Sequence, residues 1–126
     1  MKKFLLLITV SILAVSLVAG CEGDVKTYID ASKPIITRVD QEFIIAVDFD
    51  PTTDYVWQEL HDVTMLSLER DKYEPDEKAE GLVGAGGTRY YRFKALRKGD
   101  TEVILLYLRP WEAEDAKESI FKVTIK

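Results

Sequence analysis

Apolar side chains recur at every second position in short runs, and turn residues cut each run before it grows long. Glu42–Phe49 shows this most clearly, with Phe43, Ile45, Val47 and Phe49 on one face and Glu42, Ile44, Ala46 and Asp48 on the other. A period of two is the mark of a strand with one buried face. The same reading gives strands at Tyr55–Leu60, Val63–Arg70, Thr88–Leu96 and Ile120–Ile125, with shorter β-prone runs at Val25–Asp30 and Ile35–Thr37. In Thr88–Leu96, Tyr91 and Phe93 share one face; in Ile120–Ile125, Phe121, Val123 and Ile125 do. Thr101–Leu108 is apolar on both faces, which places it in the middle of a sheet. The charged stretch Lys72–Lys78 contains Pro75 and reads as a solvated loop.

No window after the first twenty residues sustains the i, i+3, i+4 apolar spacing of a helix. Trp111–Ser119 is too polar and too short for more than one helical turn. The expectation is an all-β, immunoglobulin-like β-sandwich of about seven strands.

The first twenty residues follow another logic. Met1-Lys2-Lys3 is basic, Phe4–Val18 is uncharged and mostly apolar, and Ala19-Gly20-Cys21 supplies small residues, the three regions of a secretory signal. The apolar stretch falls short of the roughly 20 residues that span a hydrocarbon core. Val18-Ala19-Gly20-Cys21 resembles the bacterial lipobox, in which the cysteine is lipidated and becomes residue one of the mature protein. Val18 stands where Leu is commoner. Ordinary cleavage after Gly20 is the alternative, but Cys21 is the only cysteine, and a lone thiol in an oxidising compartment invites mixed disulfides. The expected organisation is therefore a signal at 1–20, a lipidated tether with a possible first strand at 21–34, and one domain at 35–126. The protein is expected to be exported and anchored to the cell envelope through Cys21. Glu22, not Asp, follows the cysteine, which suggests the outer membrane in a diderm organism.

Removing 20 of the 126 residues leaves 106, enough for one domain with one core. Lys2 and Lys3 leave with the signal, so 15 basic residues face 22 acidic ones, a net charge of −7. Such a chain is poorly suited to nucleic acid, which needs a basic face. With one cysteine no internal disulfide can form, and the fold must rest on apolar burial.

Enzymatic chemistry lacks its parts. His61 is the only histidine, Cys21 is reserved for lipid, and no Gly-x-Ser-x-Gly elbow is present. Asp48, Asp50 and Asp54 superficially resemble a calcium loop, but its Gly and distant Glu are missing and Pro51 breaks the spacing. No cofactor is expected.

Three segments between strands depart from what stability alone needs. In Asp50-Pro51-Thr52-Thr53-Asp54-Tyr55, Pro51 restrains its own φ and biases Asp50 toward extended geometry, leaving two hydroxyls at the tip. Gly84-Ala85-Gly86-Gly87 lets a partner backbone come close, and a phosphate-binding role fails because a strand, not a helix, follows. Arg109-Pro110-Trp111 pairs the two residue types most enriched at binding hot spots across a proline. Each also has a purely structural reading: a capped connection, a hairpin loop, and a Trp111 lid over the core with Arg109 paired to Glu112.

Together and in this order, the three resemble the chagasin family of cysteine peptidase inhibitors, with its Asn-Pro-Thr-Thr-Gly, Gly-x-Gly-Gly and Arg-Pro-Trp loops at one end of an immunoglobulin-like sandwich. The resemblance covers roughly Ile36 to Ile125. It implies that Pro51, Thr52 and Thr53 enter the catalytic cleft of a papain-like cysteine peptidase, with Thr52 nearest the reactive site. Gly84, Gly86 and Gly87 are then expected along the substrate groove, and Arg109, Pro110 and Trp111 on the primed side. Asp50 replaces the usual Asn and Asp54 the usual Gly, and both count among the expected peptidase-binding residues. The implied protein is a monomeric, reversible inhibitor; the alternative is a lipid-anchored adhesion or structural module with no peptidase target.

Overall fold

A computed structural model describes residues 25–76 and 86–126 of the chain. The signal segment, Cys21 and Gly84 lie outside them. Eight strands run in the order β1 (Lys26–Tyr28), β2 (Ile35–Thr37), β3 (Glu42–Phe49), β4 (Val56–His61), β5 (Leu66–Pro75), β6 (Gly87–Ala95), β7 (Gly99–Leu108) and β8 (Lys117–Ile125). They form two four-stranded sheets, ordered β1-β3-β6-β5 and β2-β8-β7-β4. The short β1 and β2 pair in parallel with β3 and β8, and every other pairing is antiparallel.

The alternating patterns explain the packing. Phe43, Ile45, Tyr91 and Phe93 from the first sheet meet Val103, Leu105, Phe121, Val123 and Ile125 from the second, and all are buried. The Phe43 and Phe93 rings stack across β3 and β6 at 5.5 Å. As expected from its two apolar faces, β7 lies between β8 and β4. Tyr91 carries its hydroxyl into this core without a hydrogen-bond partner among the described residues, and burial pushes its pKa up to about 12.

Three boundaries differ from the expectation. The stretch Lys72–Lys78 is not wholly a loop, because β5 continues to Pro75 with Lys72 opposite Tyr90 and Glu74 opposite Thr88. Its charges are those of an edge strand, held by a two-pronged Arg89–Asp71 bond (2.8 Å each) and by Tyr73 set edge-on to Phe49. Pro75 ends the strand, where an edge tolerates it. Val63, by contrast, belongs to a turn and is 72% exposed, and β5 starts only at Leu66. The polar stretch after Trp111 forms one 3-10 turn, Ala113–Asp115, and β8 begins at Lys117, ahead of the expected Ile120.

Gly99 is required by its backbone: its φ is +137°, a region L side chains rarely adopt, at the first residue of β7.

Candidate functional site

Strand register places three connections at one end of the sandwich. In the first sheet, Phe49 at the end of β3 and Pro75 at the end of β5 both lie opposite Gly87 at the start of β6. In the second, Val56 at the start of β4 pairs with Leu108 at the end of β7, and Tyr107 pairs with Lys117 at the start of β8. The connection 50–55 therefore crosses from one sheet to the other at the end where β5 stops and β6 begins, and where 109–116 joins β7 to β8. A shallow groove lined by Asp48, Phe49, Asp50, Asp76, Gly86 and Gly87 lies at this end, with Tyr107 near the end of β7 on its wall.

The first loop is stiffened by its own side chains. The Thr52 amide (2.9 Å) and hydroxyl (2.6 Å) both donate to Asp50 Oδ1, and the Thr53 hydroxyl donates to the Asp50 carbonyl oxygen (2.9 Å). Thr53 Oγ1 in turn accepts from the Tyr55 amide at 3.4 Å. The hydroxyl and then the amide of Thr52 hold the Asp50 carboxyl below the usual carboxylate value. With its proton committed to Asp50, the Thr52 hydroxyl has only lone pairs left to offer outward. Pro51, Thr52, Thr53 and Asp54 are all exposed. Asp40 is the one non-glycine residue with positive φ among those described, so Asp54 carries no left-handed strain where the family pattern has Gly.

The two described glycines of the second loop differ. A Cβ on Gly87 would come within 2.3 Å of the Glu74 carbonyl oxygen and 2.7 Å of Pro75 Cα, so the close approach of β5 demands glycine there. A Cβ on Gly86 would meet only the Phe49 carbonyl oxygen, at an ordinary 3.6 Å. Gly87 is buried within the ladder, whereas Gly86 is half-buried and has room for a Cβ.

In the third loop, the Glu112 amide donates to the Arg109 carbonyl oxygen (2.9 Å) and the Arg109 guanidinium forms an ion pair with Glu112. Pairing with Glu112 was part of the structural reading of this loop, but its other half fails: Trp111 is 64% exposed and covers no core. An exposed Trp two residues from an Arg has the composition of a binding hot spot.

Sequence reasoning passed over an aromatic stack between the first and third loops. Tyr55 lies on Tyr107 (4.8 Å, 11° between planes), Tyr107 meets Trp57 (4.7 Å), and the Arg109 guanidinium sits 5.2 Å from the centre of the Tyr55 ring. Trp57 Nε1 donates to the Asp48 carbonyl oxygen at 2.9 Å, tying the stack to the first sheet. The two-residue spacing of Tyr55 and Trp57 was the available sign that both face the same way.

His61, the only histidine, is the last residue of β4 and is largely buried, 2.7 Å from Glu59 and edge-on to Phe93. It lies at the far end from the loops. Among the described residues no group of three or more His, Cys, Asp or Glu is arranged to hold a metal ion.

Residues 37–125 match the chagasin family of peptidase inhibitors, I42. The chain belongs to that family. It is 31% identical to chagasin of Trypanosoma cruzi over 88 residues, 65% of this chain and 77% of chagasin. It is 30% identical to amoebiasin-2 of Entamoeba histolytica over 79 residues, 61% of this chain and 64% of that protein. The crystal structure of the cysteine protease inhibitor EhICP2 from Entamoeba histolytica superposes with a TM-score of 0.67 at 23% identity, covering 82% of this chain and 99% of that one. A structure of PbICP-C in complex with falcipain-2 superposes with a TM-score of 0.57 at 17% identity, over 82% of this chain and 95% of that one. These likenesses agree with the immunoglobulin-like sandwich read from the strands. Family membership makes the protein a peptidase inhibitor, not an enzyme, and weighs against an adhesion or structural module without a peptidase target.

Proposed function

We propose that the protein inhibits papain-like cysteine peptidases reversibly by occluding the active-site cleft with Pro51, Thr52 and Thr53, flanked by the Gly84–Gly87 and Arg109–Trp111 loops. The observation that carries the reading is that Asp50–Tyr55, Gly86–Gly87 and Arg109–Trp111, distant in sequence, lie at one end of the sandwich in a member of a peptidase-inhibitor family. The self-bonded Asp50–Tyr55 loop and the exposed Trp111 fit a preshaped surface, which loses little entropy on docking. No group of the inhibitor needs to react. Asp50 and Asp54 bring negative charge to the wedge, and their effect falls on affinity and on the choice of enzyme.

Titration of papain with the protein tests the proposal. Activity should fall with increasing protein and return on dilution, and Thr52→Arg should abolish the effect. Undiminished papain activity at micromolar excess would contradict it.

The protein is further proposed to be an exported monomer anchored through lipid on Cys21. Supporting this are the order of basic, apolar and small residues before that cysteine and its being the only one in the chain. Labelling with a fatty-acid analogue during expression in a bacterium should mark the protein, and Cys21→Ala should abolish the label.

A further inference from the structure

An arginine on a surface loop ordinarily samples many rotamers, and ordering it on docking costs binding free energy. Arg109 is held already. Its guanidinium lies over the Tyr55 ring at 5.2 Å and is paired with the Glu112 carboxylate, so it is restrained at two points before any partner arrives. Tyr55 is itself fixed, stacked on Tyr107, which leans on Trp57, whose indole N–H is bonded to the Asp48 carbonyl oxygen. A continuous contact path thus leads from β3 of one sheet, through β4 and β7 of the other, to the third loop. Tyr55 is the link where the first loop ends and where Arg109 rests.

We infer that Tyr55 is a positioning residue that couples the first loop to the third by holding Arg109 over its ring. The inference rests on the reading of these loops as the peptidase-binding surface, and Tyr55, though it closes the first loop, follows the five residues 50–54 that correspond to the family motif. The cation held over the ring and paired with Glu112 has few rotamers left, and its free side is presented in one direction. Without an aromatic ring at position 55, Arg109 regains its rotamers and its contribution to binding falls.

A double-mutant cycle tests the coupling. With Tyr55 present, Arg109→Ala should weaken papain inhibition about tenfold; in the Tyr55→Leu background the same change should cost less than about twofold. Tyr55→Phe keeps the ring and should restore the full Arg109 effect. Equal Arg109→Ala penalties in both backgrounds would overturn the inference, because a general loosening of the domain gives additive losses. A second readout needs no peptidase. In the free protein, ring current from Tyr55 should shift the Arg109 Hδ protons upfield in NMR spectra, and Tyr55→Leu should return them to ordinary values. Arg109 protons already at ordinary values in the unsubstituted protein would overturn the positioning role. Failure of the unsubstituted protein to inhibit papain would instead sink the functional reading, leaving the NMR result to decide whether Tyr55 holds Arg109.

Discussion

Asp50–Thr52 at the loop end and Asp62–Thr64 at the opposite end are the same clasp. In each, the aspartate Oδ1 accepts from the threonine amide at 2.9 Å and its hydroxyl at 2.6 Å. The surroundings differ. The Asp62 carbonyl oxygen accepts from the amides of Met65 and Leu66, both buried, so that turn is sewn into the core where β5 begins. Among the described residues, the hydrogen bonds of the Asp50 turn stay within 50–55, and its middle residues are exposed. One local chemistry serves stability at one pole and, under the proposed function, presentation at the other.

The largest expected effect breaks the comparison at the stability pole. Met65→Ala empties a buried site beneath the Asp62 turn and should cost about 2–5 kcal/mol in denaturant unfolding. Papain inhibition at 25 °C should stay unchanged, because the remaining folded protein keeps its loops.

At the other pole, Trp111→Ala should weaken inhibition by about 2 kcal/mol or more, roughly thirtyfold, while unfolding stays within about 0.5 kcal/mol. A clear loss of stability would mean that the indole covers structure after all.

The clasps themselves should separate next. Asp50→Ala should weaken inhibition roughly three- to tenfold with the melting temperature unchanged, and Asp50→Asn, which keeps the Oδ1 acceptor, should restore it. Asp62→Ala should lower the melting temperature by roughly 2–5 °C and leave inhibition intact.

The smallest effect lies in pH. The threonine hydroxyl and then the amide lower the pKa of both Asp50 and Asp62 below the ordinary 3.8. A depressed carboxyl stabilises the folded turn fully above 3.8 and loses that contribution as pH falls through the lowered value. The Thr52 and Thr64 amide resonances should therefore titrate with midpoints below 3.8, and Asp50→Asn should abolish the Thr52 step alone. A midpoint above 3.8 at either turn would contradict the clasp.

Most of the sandwich was legible because alternation reports burial directly. Phe43, Ile45, Tyr91, Phe93, Phe121, Val123 and Ile125 all face the core as their spacing requires. The extension of β5 through Lys72–Pro75 was not legible, because an edge strand held by Arg89 and Tyr73 looks in sequence like any charged loop. The end of the sandwich at which the three loops meet follows from turn order, but how they are held does not. The Tyr55–Tyr107–Trp57 stack joins residues from two strands and a loop, and no local pattern states that register. Nor does sequence distinguish Gly87, demanded by the approach of β5, from Gly86, where a Cβ would fit.

The most direct test is an NMR footprint of the labelled protein with papain whose catalytic cysteine is blocked by a small reversible cap. Amide resonances at Thr52, Gly86 and Trp111 should all be perturbed together, and those at Thr64 and Leu96 on the opposite end should not move. Perturbation centred on Thr64 and Leu96, or confined to one of the three loops, would contradict the account.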